Sequence, residues 1–319
     1  MNKFERLCRA LTTNCKATHP EVSSLPRPLV RSVSDMFRPL DVADIPRAWL
    51  SGPIDPIFLD RFCNGTLTGE ECRRIGFREQ TSRPELIRRT LLEVAGTVAT
   101  AQLALRYGVA AHLAGGTHHA RPNMGAGYTI LNDLAVAAYV ALSQDDEDAA
   151  SARVERVLVV DCDVHQGDGT AVFGETAALK GKMFTLSLHC ASNYPQLKAN
   201  SNYDVGLPDK MGDDAYMEIL EKSLDRAMTE VRPDLVLYDA GVDVFAGDRL
   251  GRLHLSDLGI RQRDRFVIER CVQTYGVPVA AVIGGGYDAD VDALARRHAI
   301  VHEECSYIWR KHQLWNRVK

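Results

Sequence analysis

The 319-residue sequence predicts a three-layer α/β/α fold with a mainly parallel central sheet. Three observations carry this. Five short apolar runs recur along the chain, each nearly continuous in hydrophobicity, as a strand covered on both faces must be. Helical patterns separate them, and strands alternating with helices build parallel sheets between helical layers. A polar or glycine-rich cluster follows every run, at the sheet edge where open α/β sheets gather their sites.

The elements follow in order. The first 35 residues carry Lys3, Arg6, Arg9, Lys16, Arg27 and Arg31 against three acids, with Phe4, Leu7 and Leu11 at helix-like spacing. An amphipathic helix followed by a Pro-rich loop is the preferred reading; a targeting segment has the same composition and stays open. A helix over 84–106 opens on Pro84, a favoured first-turn residue. The run VAAHLA (109–114) leads to GGTHH, and Asn132 caps a helix over 132–142. The acidic stretch 144–155 reads as a surface connection. The run RVLVVD (156–161) leads to DCDVHQGDG, MFTLSL (183–188) to SLH, DLVLYD (234–239) to DAGVD, and PVAAVI (278–283) to GGGY. Helices are expected over 213–230, 256–275 with Ser256 as cap, and 289–312.

Composition narrows the function classes. Apolar residues at 45% and charged residues at 25% are those of an ordinary globular domain, and a net charge of −4 has no polyanion-binding signature. No direct nucleic-acid partner is expected. The eight cysteines include no C-x-x-C pair, which argues against a cysteine-rich zinc module or a disulfide framework and for a reducing compartment. An intracellular protein, cytoplasmic or nuclear, is expected, with organelle targeting by the N-terminal segment open. No apolar stretch approaches the roughly 20 residues that span a bilayer.

The chemistry gathers at the strand ends. Side chains alternate along a strand, so Asp161, Asp163 and His165 project to one side if extension persists. A D-x-H pair offers a carboxylate oxygen and an imidazole nitrogen, and Asp243 adds a second carboxylate. Two carboxylates and one histidine hold a divalent ion and leave a coordination position open for catalysis. Alone, D-x-H is as readily a solvated turn, Asp243 a helix cap and His118–His119 a polar turn. Together they suggest a hydrolase. Two imidazoles supply a base and an acid once Asp161 and Asp168 hold their second nitrogens. Tyr287, after three glycines, brings a phenol to the same edge to meet a developing oxyanion. No P-loop Lys-Ser/Thr and no G-x-G-x-x-G is present, so a nucleotide-binding reading of the glycines fails.

With these residues assembled, the chain resembles the zinc-dependent histone deacetylase family, within the arginase/deacetylase fold. The resemblance runs from about Thr66 to about His298, through GGTHHA, DCDVHQGDGTA, SLH, AGVDVFAGDRLG and GGGY in family order. The wording AGDRLGRL is similar to the class IV-like branch and its bacterial relatives. The resemblance implies one zinc on Asp163, His165 and Asp243. It pairs His118 with Asp161 and His119 with Asp168, His119 being favoured as general base, and gives Tyr287 the oxyanion. It also implies a potassium ion on the backbone carbonyls of Asp161, Asp163, His165 and Leu188, with the Asp161 carboxylate and the Ser187 hydroxyl. Tyr128, Tyr194 and Leu250, with Gly127 and Gly285, would line a tunnel for an acyl-lysine side chain.

The implied activity is hydrolysis of Nε-acyl-lysine amides in proteins or peptides, histone tails among them; oligomeric state is left open. Residues 61–319 are read as one catalytic domain, with 1–60 a divergent segment packed on it. Thr129, where a cysteine is common, and Cys162, where an aliphatic is usual, depart from the family pattern. Alternatives are a deacetylase of acetylpolyamines or other small amines, a silent acyl-lysine-binding protein, and an arginase-like two-manganese enzyme. The last is disfavoured because Phe245, not an aspartate, follows Asp243 by two residues. His112, His189, His298 and His302 are read as structural.

Overall fold

A computed structural model describes residues 2–13, 29–143 and 153–317. Six parallel strands are found among them: β1 Val109–Ala111, β2 Val157–Asp161, β3 Met183–Cys190, β4 Tyr203–Leu207, β5 Leu235–Asp239 and β6 Val279–Val282. They lie in the order β1-β6-β5-β2-β3-β4. Every residue of β2, β5 and β6 is buried, so their apolar continuity reflects cover on both faces.

Alternate residues of one strand feed two different cores, which is what makes three layers. Leu158 and Val160 join Val236, Tyr238 and Ala281 in a core under α8 (Asp213–Val231), α9 (Asp257–Glu269) and α10 (Val291–Lys311). Val157 and Val159 join Leu235, Leu237 and Val282 in a second core. That one is covered by α5 (Pro84–Tyr107), α6 (Asp133–Ser143) and the short helices α2 (Arg47–Ser51), α3 (Pro56–Cys63) and α4 (Gly69–Ile75). The first helix, α1 (Asn2–Thr12), buries Leu7 and Leu11 against α10, so its amphipathic pattern serves the first core.

The expected helices form with caps close to those read from sequence. Asn132 accepts from the Ala135 N–H at 2.8 Å and Ser256 from the Gly259 N–H at 3.0 Å. Three local departures have plain causes. β1 ends at Ala111 rather than 114; the chain leaves the sheet after His112, whose N–H still reaches the Ala281 carbonyl. The helix expected over 256–275 divides into α9 and a π turn at Arg270–Thr274. β4 was not anticipated because, as an edge strand with alternating exposure, it has no apolar run. The Pro-rich loop (14–28) and most of the acidic connection (144–152) lie outside the described residues.

Register aligns the functional edge. Ser187 pairs with Asp161, Asp161 with Asp239 and Asp239 with Val282, so β2, β5 and β6 end on one row, level with Ser187 of β3. The loops after that row, together with the loop after β1, carry the polar clusters.

Candidate active site

Asp163, His165 and Asp243 converge below that row. β2 stops at Asp161, so extension does not persist; Asp163 and His165 reach the site from the bend that follows. Each carboxylate is anchored by one oxygen and aimed by the other. Asp163 Oδ2 accepts from the Gly285 N–H at 2.8 Å, and Asp243 Oδ1 from the Val164 N–H at 2.9 Å. Their remaining oxygens lie 3.0 and 3.2 Å from the same atom, His165 Nδ1. Asp243 Oδ2 is buried without a hydrogen-bond partner, and the three ligand atoms lie within 4.8 Å of one another.

Charge at this point asks for a cation. Burial and the neighbouring Asp163 push the Asp243 carboxyl up to about 6. Burial would lower the His165 pKa, but Asp163 and Asp243 raise it to about 10. Two buried carboxylates sharing one imidazole are costly unless a positive charge lies between them. Oxygen and nitrogen donors of this kind, three in number, fit zinc with one position left for chemistry.

The two histidines after β1 are held by separate carboxylates. His118 Nδ1 lies 2.8 Å from Asp161 Oδ2, and His119 Nδ1 lies 2.7 Å from Asp168 Oδ1. Their Nε2 atoms face each other at 3.2 Å. Asp168, first residue of α7 (Asp168–Gly174), also accepts two hydrogen bonds from Arg121, at 2.8 and 3.2 Å. Burial would raise the Asp168 pKa, yet His119 and Arg121 hold it below the usual value. The GGTHH loop is shaped by positive φ at Gly115 and Gly116 (+87° and +86°). Asp133, opening α6, accepts from the Gly116 and Thr117 N–H groups at 3.1 and 2.7 Å and fixes the loop.

These surroundings drive the two imidazoles apart. Burial opposes charge on His118, but Asp161, Asp163 and Asp239 outweigh it and raise its pKa well above the ordinary value. Burial and the charge of His118 bring His119 down to about 4. The surroundings thus favour charge on His118 and disfavour it on His119, the direction that separates an acid from a base.

Tyr287 lines the same cleft of about 630 Å³. Its N–H donates to Asp248 Oδ2 at 2.7 Å, while Asp248 Oδ1 accepts from the Leu250 and Gly251 N–H groups, so one carboxylate ties two rim loops together. Burial and the carboxylates of Asp243 and Asp163 push the phenol pKa up, keeping its proton in place. Tyr128, 54% exposed with φ +62°, and Leu250, 45% exposed, stand at the mouth; Tyr194, 46% exposed, packs edge-on against His119 at 4.8 Å. Gly127 and Gly285 face the site closely. A Cβ on Gly127 would lie 2.5 Å from the His119 ring, and one on Gly285 2.3 Å from Asp243 Oδ2.

Asp161, Ser187 and Leu188 are buried beneath the triad. Asp161 Oδ1 accepts from the Asp163 N–H at 3.1 Å, and Ser187 Oγ lies 3.0 Å from His189 Nδ1. His112 meets Thr97 Oγ1 at 3.1 Å, whereas His298 has no partner on either ring nitrogen and His302 none on Nε2.

Sequence reading missed several supporting residues. Asp239 is fully buried with no partner on either oxygen and lies 3.8 Å from His118 Nδ1; burial and Asp161 push its pKa far up. Its place at a strand end was the available signal. Arg263, on α9, is fully buried and donates to the carbonyls of Cys162 (3.0 Å), Gly241 (2.7 Å) and Ala240 (3.2 Å). It thereby clamps the loop bearing Asp163 to the loop bearing Asp243. Nothing in a helical heptad marks such an arginine in advance.

A family model described as histone deacetylase domain matches residues 59–303. An uncharacterised protein of Picosynechococcus sp. is 44% identical over 257 residues, 80% of this chain and 81% of that protein. Histone deacetylase 2 of Arabidopsis thaliana is 30% identical over 61% of this chain and 48% of its own length, so the match spans under half of that relative. The crystal structure of an HDAC homologue from Aquifex aeolicus superposes with a TM-score of 0.69 at 19% identity, covering 95% of this chain and 77% of that one. Its likeness shows the same α/β/α fold. With the family model running through every strand end that carries the cleft, this chain belongs to the histone deacetylase family.

Proposed function

We propose that the protein hydrolyses the amide bond of Nε-acyl-lysine side chains, releasing a carboxylic acid and the free amine. One zinc would be held by Asp163, His165 and Asp243. The observation that carries this reading is the convergence of a carboxylate–imidazole triad beside two adjacent imidazoles, each held by a carboxylate of its own. When bound, zinc supplies Lewis acidity to an acyl carbonyl and to water.

The chain's own residues do the rest. His119 Nδ1–H donates to Asp168, which leaves Nε2 as the acceptor nitrogen, facing His118 Nε2 at 3.2 Å, and burial with the charge of His118 brings the ring's pKa down to about 4. His119 is the general base for the attacking water. His118 carries its proton against Asp161 and supplies positive charge beside the departing nitrogen, which leaves with a proton from the histidine pair. Tyr287 keeps its O–H and donates it to the oxygen that becomes negative. Tyr128, Tyr194 and Leu250 flank the lysine methylenes, each worth about 0.8 kcal/mol when buried.

The same reading assigns a structural potassium to the Asp161, Asp163, His165, Ser187 and Leu188 group and takes residues 61–319 as the catalytic domain with 1–60 packed on it. Substrates are acyl-lysine proteins or peptides, histone tails included.

The test is a panel of acyl-lysine peptides and acetylated small amines on the zinc-loaded protein, with and without a hydroxamate chelator. Chelator-sensitive release of acid from peptides is expected. Release from acetylpolyamines alone would move the substrate to small amines, and peptide binding without turnover would make the protein a reader of acyl-lysine.

A further inference from the structure

The cleft does not end at the triad. Helix α1 reaches its inner end, where Lys3 and Phe4 line the same cavity as Asp163, His165 and Tyr287. Lys3 Nζ lies 3.4 Å from the Gly284 carbonyl. The N–H of that same peptide unit, from Gly285, donates to Asp163 Oδ2. A single peptide plane therefore stands between a half-buried ammonium and a carboxylate of the triad.

That ammonium is poorly matched. Beyond the carbonyl, its neighbour is the Phe4 ring, 5.4 Å away, and among the described residues no carboxylate lies within 4 Å of it. The acid closest in effect, Glu93, is already engaged by Arg89 at 3.7 Å and by the Gly115 N–H at 3.2 Å. Arg89 in turn lies over the Phe4 ring at 4.8 Å, and Lys3, Arg89 and Glu93 all line the cavity. Nearby His298, fully buried behind Gly286, leaves both ring nitrogens without partners. A half-buried cation with one neutral acceptor has lost part of its hydration, a cost that an anion in the cavity would offset.

We propose that Lys3 makes the inner end of the acyl chamber a carboxylate subsite, selecting acyl groups that end in a carboxylate over neutral acyl groups of equal length. This rests on the acyl-lysine reading above and names its substrate class. With the amide carbonyl at the triad, an acyl chain of about four or five carbons covers a gap of one peptide unit and its two hydrogen bonds. Succinyl- and glutaryl-lysine have that chemistry. The reaction remains hydrolysis: water's oxygen bonds to the acyl carbon, the C–N bond breaks, the amine leaves with a proton, and the other product is a dicarboxylate.

The test compares succinyl- with butyryl-lysine and glutaryl- with valeryl-lysine peptides on the full-length, zinc-loaded protein. Wild type should favour the acidic member of each pair by about tenfold or more in kcat/KM. Lys3→Met should abolish or invert that ratio and Lys3→Arg should retain it. Fluorescence anisotropy on zinc-loaded His119→Ala reads the same ratios as binding, without turnover. Hydrolysis of neutral acyl peptides with no acidic preference, or a ratio untouched by Lys3→Met, overturns the subsite alone. Failure to bind or cleave any acyl peptide overturns the acyl-lysine reading itself.

Discussion

At the scale of single residues, what separates His119 from His118 is the charge already beside each ring. Three carboxylates push the His118 pKa up, while burial and the charge of His118 bring that of His119 down to about 4, so equal side chains are driven apart. This division predicts a split among variants. His119→Ala and Tyr287→Phe should each lower kcat about 10² to 10⁴-fold while zinc content, read by atomic emission, stays near one per chain. Asp243→Ala should deplete the metal instead, because it removes an oxygen that faces His165 Nδ1. Parental turnover by Tyr287→Phe would remove the oxyanion role. At this scale the sequence was legible in its placement: Asp163, His165, His118 and His119 line the cleft and Asp243 lies buried beside Asp163 and His165. Asp239, Asp133 and Arg263 were not, since their work is to hold neighbours through contacts made across strands and helices.

At the scale of elements, caps and clamps set where the loops sit. Thr68 and Glu71 form a capping box at the start of α4, the Glu71 carboxylate also pairing with Arg61. Burial would raise the Glu71 pKa, but the Thr68 N–H, Arg61 and the Thr68 hydroxyl bring it down to about 2. Because the folded value lies below the unfolded value of roughly 4.3, this carboxylate stabilises the fold above that pH. The contribution is lost as pH falls from there toward 2. Urea midpoints of wild type and Glu71→Gln should therefore differ at pH 6 and converge near pH 2; a constant gap would remove the link. Helix ends were visible in sequence at Asn132 and Ser256, where a side-chain oxygen precedes the apolar pattern. The edge strand β4 and the π turn after α9 were not, because neither has a local periodicity of its own.

At the scale of the whole molecule, the sheet concentrates like charge. Asp161, Asp163, Asp239 and Asp243 are all buried at the ends of two adjacent strands. A dication between two of them relieves repulsion that the apo protein must carry, and a ligand that binds only the folded state stabilises it by mass action. Chelation should thus lower the thermal midpoint, and free zinc at 100 times its Kd should restore about 2.7 kcal/mol. Equal midpoints for the chelated and zinc-loaded protein would argue that no ion bridges the triad.

The sequence by itself determined the alternation of strands and helices, the loops that carry chemistry and the residues able to serve as ligands, base and acid. Each of these is written locally, in periodicity or in a short motif. Only the tertiary structure decided that Asp239 comes to 3.8 Å from His118, that Arg263 reaches from α9 to three strand-end carbonyls, and that Lys3 lines the cleft. Those outcomes depend on register and on the approach of elements tens to hundreds of residues apart, which no window of the chain contains.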